Sequence, residues 1–211
     1  MPVRAKVCGL STAATVAAAV GGGASHVGFV FFPRSPRDID PDRAGSLATP
    51  PGVGRVGVFV DPDDELLATA ITRARLTAIQ LHGHETPERA AAIARAHSLE
   101  VWKAIPVKLR ADLTAARAFR GAADRILYDA KTPVGADLPG GMGLRFDWTL
   151  LKGHDHPLPW ALSGGLDAGN VADAAGMTGA RLVDVSSGVE SAPGVKDVDK
   201  IAGFLQSVAQ L

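Results

Sequence analysis

Cysteine is almost absent. Cys8 is the only one, so no disulfide can form within the chain. A reducing compartment, the cytoplasm, is the expected location. An excess charge of either sign is also lacking: 22 Lys and Arg balance 22 Asp and Glu. With no basic tract, the electrostatic footprint of a nucleic-acid binder is missing, and no nucleic-acid partner is expected. No apolar run reaches the ~18 residues of a membrane span, so no membrane partner is expected either. The opening residues Met1-Pro2-Val3-Arg4-Ala5-Lys6 carry no long apolar stretch, and a secretion signal is not expected. GxGxxG is missing after the first apolar segment, where Cys8-Gly9-Leu10 stands. That counts against an open dinucleotide-binding sheet.

Turn formers are plentiful, with 24 glycines and 14 prolines in 211 residues. Their share stays below the ~25–30% that marks low complexity. The length suits one domain, 1–211, with a substantial core. Short apolar segments alternate with helical stretches. The strands are expected at Val3–Cys8, His26–Phe32, Arg55–Val60, Ala78–Leu81, Glu100–Ile105, Arg125–Asp129, Leu158–Leu162 and Arg181–Val185. Between them, helices are expected at Ala13–Val20, Pro41–Ala48, Asp63–Arg73, Pro87–His97, Arg110–Phe119, Phe146–Leu151 and Ala168–Ala175, with a last one at Val198–Ala209. Strands alternating with helices imply a parallel sheet. Eight such units favour closure into a (β/α)8 TIM barrel. The chain is short against the ~250 residues typical of that fold, so its helices must be short.

Two stretches near the C-terminus organise the rest. Leu158–Leu162 runs into Ser163-Gly164-Gly165, and Arg181–Val185 into Ser186-Ser187-Gly188. Glycine lets backbone N–H groups approach a ligand, and amides at a turn before a helix make a phosphate site. Barrels place such turns after strands 7 and 8. Gly164, Gly165, Ser186, Ser187 and Gly188 are therefore the candidate phosphate-binding residues, and a phosphorylated small molecule the expected substrate.

The other candidates lie where strands end, because barrel active sites form on that face. Cys8 ends the first strand and Asp129 the sixth. A basic thiolate needs a lowered pKa and an acidic carboxyl a raised one. Arg37, in the loop after strand two, has the fork that matches a carboxylate. His82 and Asp184, at the ends of strands four and eight, are candidate substrate contacts. The pairs His82/His84 and His154/His156 have metal-ligand spacing but no third or fourth ligand nearby, so no metal site is expected. His154 and His156 fall in a polar loop and are expected to be exposed. The glycine-rich segment 132–145 reads either as a lid over the site or as a disordered loop.

Together these motifs resemble phosphoribosylanthranilate isomerases. The resemblance rests on Lys6–Leu10, Gly28-Phe29-Val30-Phe31, Ser35-Pro36-Arg37 and Gln80-Leu81-His82-Gly83. It continues in Gly140–Gly143 with Phe146-Asp147-Trp148, Leu162–Leu166, and Asp184–Glu190 followed by Pro193–Asp197. It implies a (β/α)8 barrel that carries out an Amadori rearrangement of N-(5′-phosphoribosyl)anthranilate in tryptophan biosynthesis, with no cofactor and no metal. It also implies Cys8 as general base, Asp129 as general acid and Arg37 facing the anthranilate carboxylate. A monomer or a homodimer fits the family.

Two positions depart from the family pattern. Met142 stands where a hydroxyl residue is usual, and Asp167-Ala168-Gly169 where Asn-Pro-Glu is usual. A dual-substrate sugar-phosphate isomerase would place Asp at position 8. A non-catalytic sugar-phosphate binder would have no need for Cys8, Asp129 and Arg37 together. A structural subunit bound to another tryptophan enzyme would need a separate partner.

Overall fold

A computed structural model describes residues 2–133 and 140–211. Eight parallel strands close into a barrel: β1 (Arg4–Cys8), β2 (His26–Phe31), β3 (Gly54–Phe59), β4 (Ala78–Leu81), β5 (Glu100–Val107), β6 (Arg125–Ala130), β7 (Trp160–Leu162) and β8 (Leu182–Val185). Closure is made by β1, which pairs β2 through Lys6 and His26 and β8 through Lys6 and Asp184. The expected TIM-barrel class is the observed one.

Side chains alternate across the barrel wall. Val56, Ala78, Trp102, Ala104, Leu127, Ala161 and Leu182 point inward and fill the barrel's floor. Their neighbours, such as Val7, Phe29, Ile79, Val101, Ile126 and Val183, point outward into the larger core under the helices. One step nearer the C-terminal mouth, the inward positions turn polar with Lys6, Gln80, Asp129 and Asp184, all buried. The seam between β7 and β8 is thin, paired through Leu162 and Val183. Both strands end there in the glycine and serine turns.

The helices are α1 (Ala13–Gly21), α2 (Pro41–Ser46), α3 (Asp64–Arg73), α4 (Pro87–His97), α5 (Val171–Thr178) and α6 (Val198–Val208). All but α5 are capped by side chains at their starts; among them Thr12 Oγ1 accepts from Thr15 N at 3.2 Å, Asp63 Oδ1 from Leu66 N at 2.8 Å and Thr86 Oγ1 from Arg89 N at 3.3 Å. Each satisfies an N–H that the helix itself cannot. At helix ends Arg55 satisfies carbonyls instead, donating to Ala44 O, Leu47 O and Ala74 O at 2.7–2.9 Å while its guanidinium lies over the Phe29 ring.

Several elements differ from the sequence reading. Arg110–Phe119 is a 3-10 helix rather than an α-helix. Its buried residues Leu113, Ala116 and Phe119 recur every third position, the 3-10 repeat. The short helix after the glycine-rich segment is also 3-10 and spans Trp148–Leu151. Helix α5 starts at Val171, because Asp167 and Asn170 close a turn first, with Asp167 N donating to Asn170 Oδ1 at 3.0 Å. An unexpected hairpin, β9 (Glu190–Ala192) and β10 (Val195–Lys196), follows β8. His154 and His156 are partly buried, not exposed. The His156 ring stacks on Trp160 at 4.2 Å, and both rings sit beside Tyr128. Residues 134–139 of the expected lid lie outside the described residues.

Candidate active site

A cavity opens at the C-terminal mouth of the barrel. Every strand-end candidate except Gly188 faces it: Cys8, Arg37, His82, Asp129, Gly164, Gly165, Asp184, Ser186 and Ser187. Gly188 backs the β8 turn and packs on the Leu166 carbonyl, where a side chain has no room.

Around the mouth the groups come in a definite order. Arg37 follows β2, Cys8 ends β1, Asp184 and the serine turn end β8, the glycine turn ends β7, and Asp129 lies on β6. The thiol and the carboxyl therefore flank the two turns. Gly164 and Gly165 have φ of +88° and +64°, a region that favours glycine. Cys8 joins Val30, Val58 and Phe32 in an apolar wall.

Beneath the mouth, Lys6 Nζ contacts Asp184 Oδ1 at 2.8 Å, with both side chains buried. Burial opposes the ammonium charge, but Asp184 and Cys8 outweigh it, and the Lys6 pKa is pushed up to about 12. Ser163 Oγ donates to the second Asp184 oxygen at 3.2 Å. Both oxygens of Asp184 are thus committed within the protein. Burial pushes the Cys8 thiol above its ordinary pKa, while Lys6 pulls it back.

Asp129 accepts twice. Ala130 N donates to Oδ1 at 2.8 Å, and His82 Nε2 lies 3.1 Å from Oδ2. His82 leaves β4 at a braced turn. Lys103 Nζ there bonds Leu81 O, Gly83 O and Glu85 Oε2 at 3.3, 2.7 and 2.9 Å. His84 points away, with its N–H on Asp61 Oδ1 at 2.6 Å. Among the described residues no three His, Cys, Asp or Glu side chains form a metal cluster.

Arg37 is held by a partner that the sequence reading missed. Nε and Nη2 donate to Glu190 Oε1 and Oε2 at 2.7 and 2.9 Å, and Nη2 also to Gly141 O at 2.8 Å. Lys196 Nζ reaches the same Glu190 at 2.7 Å and Ser186 O at 2.9 Å. The hairpin β9–β10 pairs Glu190 with Lys196. Their presence in Asp184–Glu190 and Pro193–Asp197 was the only available signal. The described end of the glycine-rich segment folds inward. A Cβ on Gly140 would lie 2.7 Å from both Asp129 Oδ2 and His82 Nε2, and one on Gly141 2.7 Å from Arg37 Nη1.

Fold and site together define a barrel enzyme with a thiol, a carboxyl and two glycine- and serine-rich turns around one cavity. Residues 5–207 match the family model described as N-(5′-phosphoribosyl)anthranilate (PRA) isomerase. The chain therefore belongs to the N-(5′-phosphoribosyl)anthranilate isomerase family. The enzyme of that name from Zymomonas mobilis subsp. pomaceae is 58% identical over the whole of both chains, and that from Rhodospirillum centenum 55% identical over the whole of both. The Thermotoga maritima phosphoribosyl anthranilate isomerase structure superposes with a TM-score of 0.88 at 38% identity, covering 99% of this chain and 100% of that one. A further structure, solved in complex with reduced 1-(o-carboxyphenylamino)-1-deoxyribulose 5-phosphate, has a TM-score of 0.86 at 36% identity over 99% of this chain and all of the other.

Proposed function

We propose that this protein converts N-(5′-phosphoribosyl)anthranilate to 1-(2-carboxyphenylamino)-1-deoxyribulose 5-phosphate by an Amadori rearrangement in tryptophan biosynthesis. One observation carries the reading. One cavity brings together Arg37, the Cys8 thiol, the glycine and serine turns and the Asp129 carboxyl, the set of groups that a sugar phosphate bearing an anthranilate calls for.

The phosphate sits against the turns Gly164-Gly165 and Ser186-Ser187, with Gly188 behind them. The anthranilate ring lies on Val30, Val58 and Phe32, and its carboxylate meets Arg37. Asp129 gives its proton to the furanose ring oxygen. The C1′–O bond breaks, and the nitrogen lone pair forms the C1′ iminium. Cys8 thiolate then takes the proton from C2′. The C–H electron pair becomes the C1′–C2′ double bond and neutralises the iminium, giving an enolamine that tautomerises to the ketone. Two proton transfers balance the step.

Acid and base must hold opposite protonation states at one pH, so they need different environments. Lys6 supplies one difference, a buried cation beside Cys8 that favours thiolate. The iminium formed next to the sulfur favours it further. Asp184 holds Lys6 in place rather than touching substrate. The test is turnover of freshly generated N-(5′-phosphoribosyl)anthranilate, followed as loss of its fluorescence, with Cys8→Ala alongside. Rapid turnover lost in the variant is expected. No turnover by the folded wild-type protein would overturn the reading.

A further inference from the structure

Gln80 has no place in that mechanism, yet it lies inside the barrel on β4, 1% exposed, registered between Val58 and Trp102. Its Nε2 lies 3.0 Å from His82 Nδ1. An amide nitrogen only donates, so with the amide in this orientation Nδ1 is the acceptor and carries no proton. The imidazole proton then sits on Nε2 and is donated to Asp129 Oδ2 at 3.1 Å.

We infer that Gln80 is a positioning residue for the reaction, which holds His82 as the neutral Nε2–H tautomer and so keeps the transferable proton on Asp129. A His–Asp pair carrying one extra proton has two forms. One is imidazolium with carboxylate, and the other is imidazole with carboxylic acid. The first needs an acceptor at Nδ1, where Gln80 presents N–H. Only the second has its acidic proton on Asp129, the group that acts on the substrate in this reading.

The surroundings support this orientation of the amide. Gln80 Oε1 is buried without a partner. Reversing the amide would instead strand a buried NH2 group, and unpaired buried N–H groups are rarer than under-satisfied carbonyls. Gly140 covers the pair, since a Cβ there would touch both His82 Nε2 and Asp129 Oδ2. Once Asp129 has given up its proton, its carboxylate already has two neutral donors in place, His82 Nε2–H and Ala130 N–H. Such preset donors stabilise charge as it develops.

This inference rests on Asp129 being the acid, and the experiment separates the two. Long-range 1H–15N correlation on the intact protein, with His82 assigned by His82→Gln, reads the tautomer directly at neutral pH. The neutral Nε2–H form is expected. Gln80→Glu places an acceptor at Nδ1 and is expected to give imidazolium. Its kcat should fall about 100-fold, the scale of one general acid, with KM little changed. Gln80→Met removes the donor without charge and is expected to mix the tautomers with a smaller fall. Imidazolium or an Nδ1–H tautomer in the wild-type protein would overturn the inference, as would wild-type kcat in Gln80→Glu. If Gln80→Glu does not fold, the wild-type spectrum and Gln80→Met still decide. Full turnover by Asp129→Asn would instead remove the acid assignment itself, whatever the tautomer.

Discussion

Glu190 grips Arg37 by both carboxylate oxygens, at 2.7 and 2.9 Å, although 153 residues separate them. The grip occupies the Nε–Nη2 edge of the guanidinium. Nη1 makes no hydrogen bond among the described residues. Glu190 is buried, which works against its charge, but Arg37 and Lys196 hold it below the ordinary carboxylate range. Its pairing therefore fixes the direction in which Arg37 points.

Glu190→Gln should consequently act on binding more than on chemistry. Two buried cations would lose their counter-charge, and an unpaired buried charge costs about 3–5 kcal/mol. The expected result is a KM raised about tenfold, roughly 1.4 kcal/mol of lost binding, with kcat within a factor of a few and a lowered Tm. Arg37→Ala should raise KM at least as much. Steady-state kinetics on both variants checks this. A fall in kcat at unchanged KM in either would separate Arg37 from the carboxylate.

Lys6 and Cys8 yield a pH prediction. Burial raises the Cys8 pKa, and the base form is thiolate. Activity should therefore climb as pH rises through that raised value and be lost below it. Lys6→Met removes the cation that pulls the thiol down, so the rising limb should move to higher pH. Methionine also leaves Asp184 without its partner, and a Tm measurement must accompany the rates. The pH dependence of kcat/KM for the two proteins is the measurement. A limb that stays in place would take Lys6 out of the control of Cys8.

Room for the thiol comes from β2. A Cβ on Gly28 would stand 2.9 Å from Cys8 Sγ and 3.1 Å from Lys6 Cε. Overpacking of that kind costs about 1–3 kcal/mol. Gly28→Ala should lose that much stability and a larger share of kcat, because the sulfur must move. Denaturant unfolding and turnover, measured together, test it. Unchanged kcat would show that the position of Cys8 has slack the packing does not suggest.

The barrel was readable in the sequence because each strand is an apolar run closed by turn residues, and because Thr12, Thr86 and the acidic start of α3 announce their helices. The strand-end residues followed from the fold, since parallel strands put them on one mouth. What stayed hidden were polar partners far apart in the chain. Lys6 and Asp184 are 178 positions apart, and nothing local links them. The hairpin that carries Glu190 and Lys196 has strands of three and two residues, too short to show alternation. Gln80 belongs to the motif Gln80-Leu81-His82-Gly83, but only its distance to His82 gives it a role. At Arg110–Phe119 the composition marks a helix but does not separate the 3-10 form from the α form.

Acid stability follows from two histidines outside the site. Burial, with Lys6 and Arg4 nearby, lowers His26 to about 4, and burial beside His154 lowers His156 to about 4. The ordinary value is ~6.5. As pH falls from about 6.5 to 4, the unfolded chain takes up these protons and the folded one does not. Stability is then lost across that window and not further below it. His26 accounts for up to ~1.4 kcal/mol per pH unit there, and the half-exposed His156 for less, because solvent screens it. Thermal melts of wild type and of His26→Gln between pH 7 and pH 4.5 test the assignment. The carboxylates held low, Glu190 among them, stay ionised in that range. The wild-type Tm should fall steadily and the variant's more gently. Parallel curves would mean that His26 takes up its proton in the folded protein as readily as in the unfolded chain.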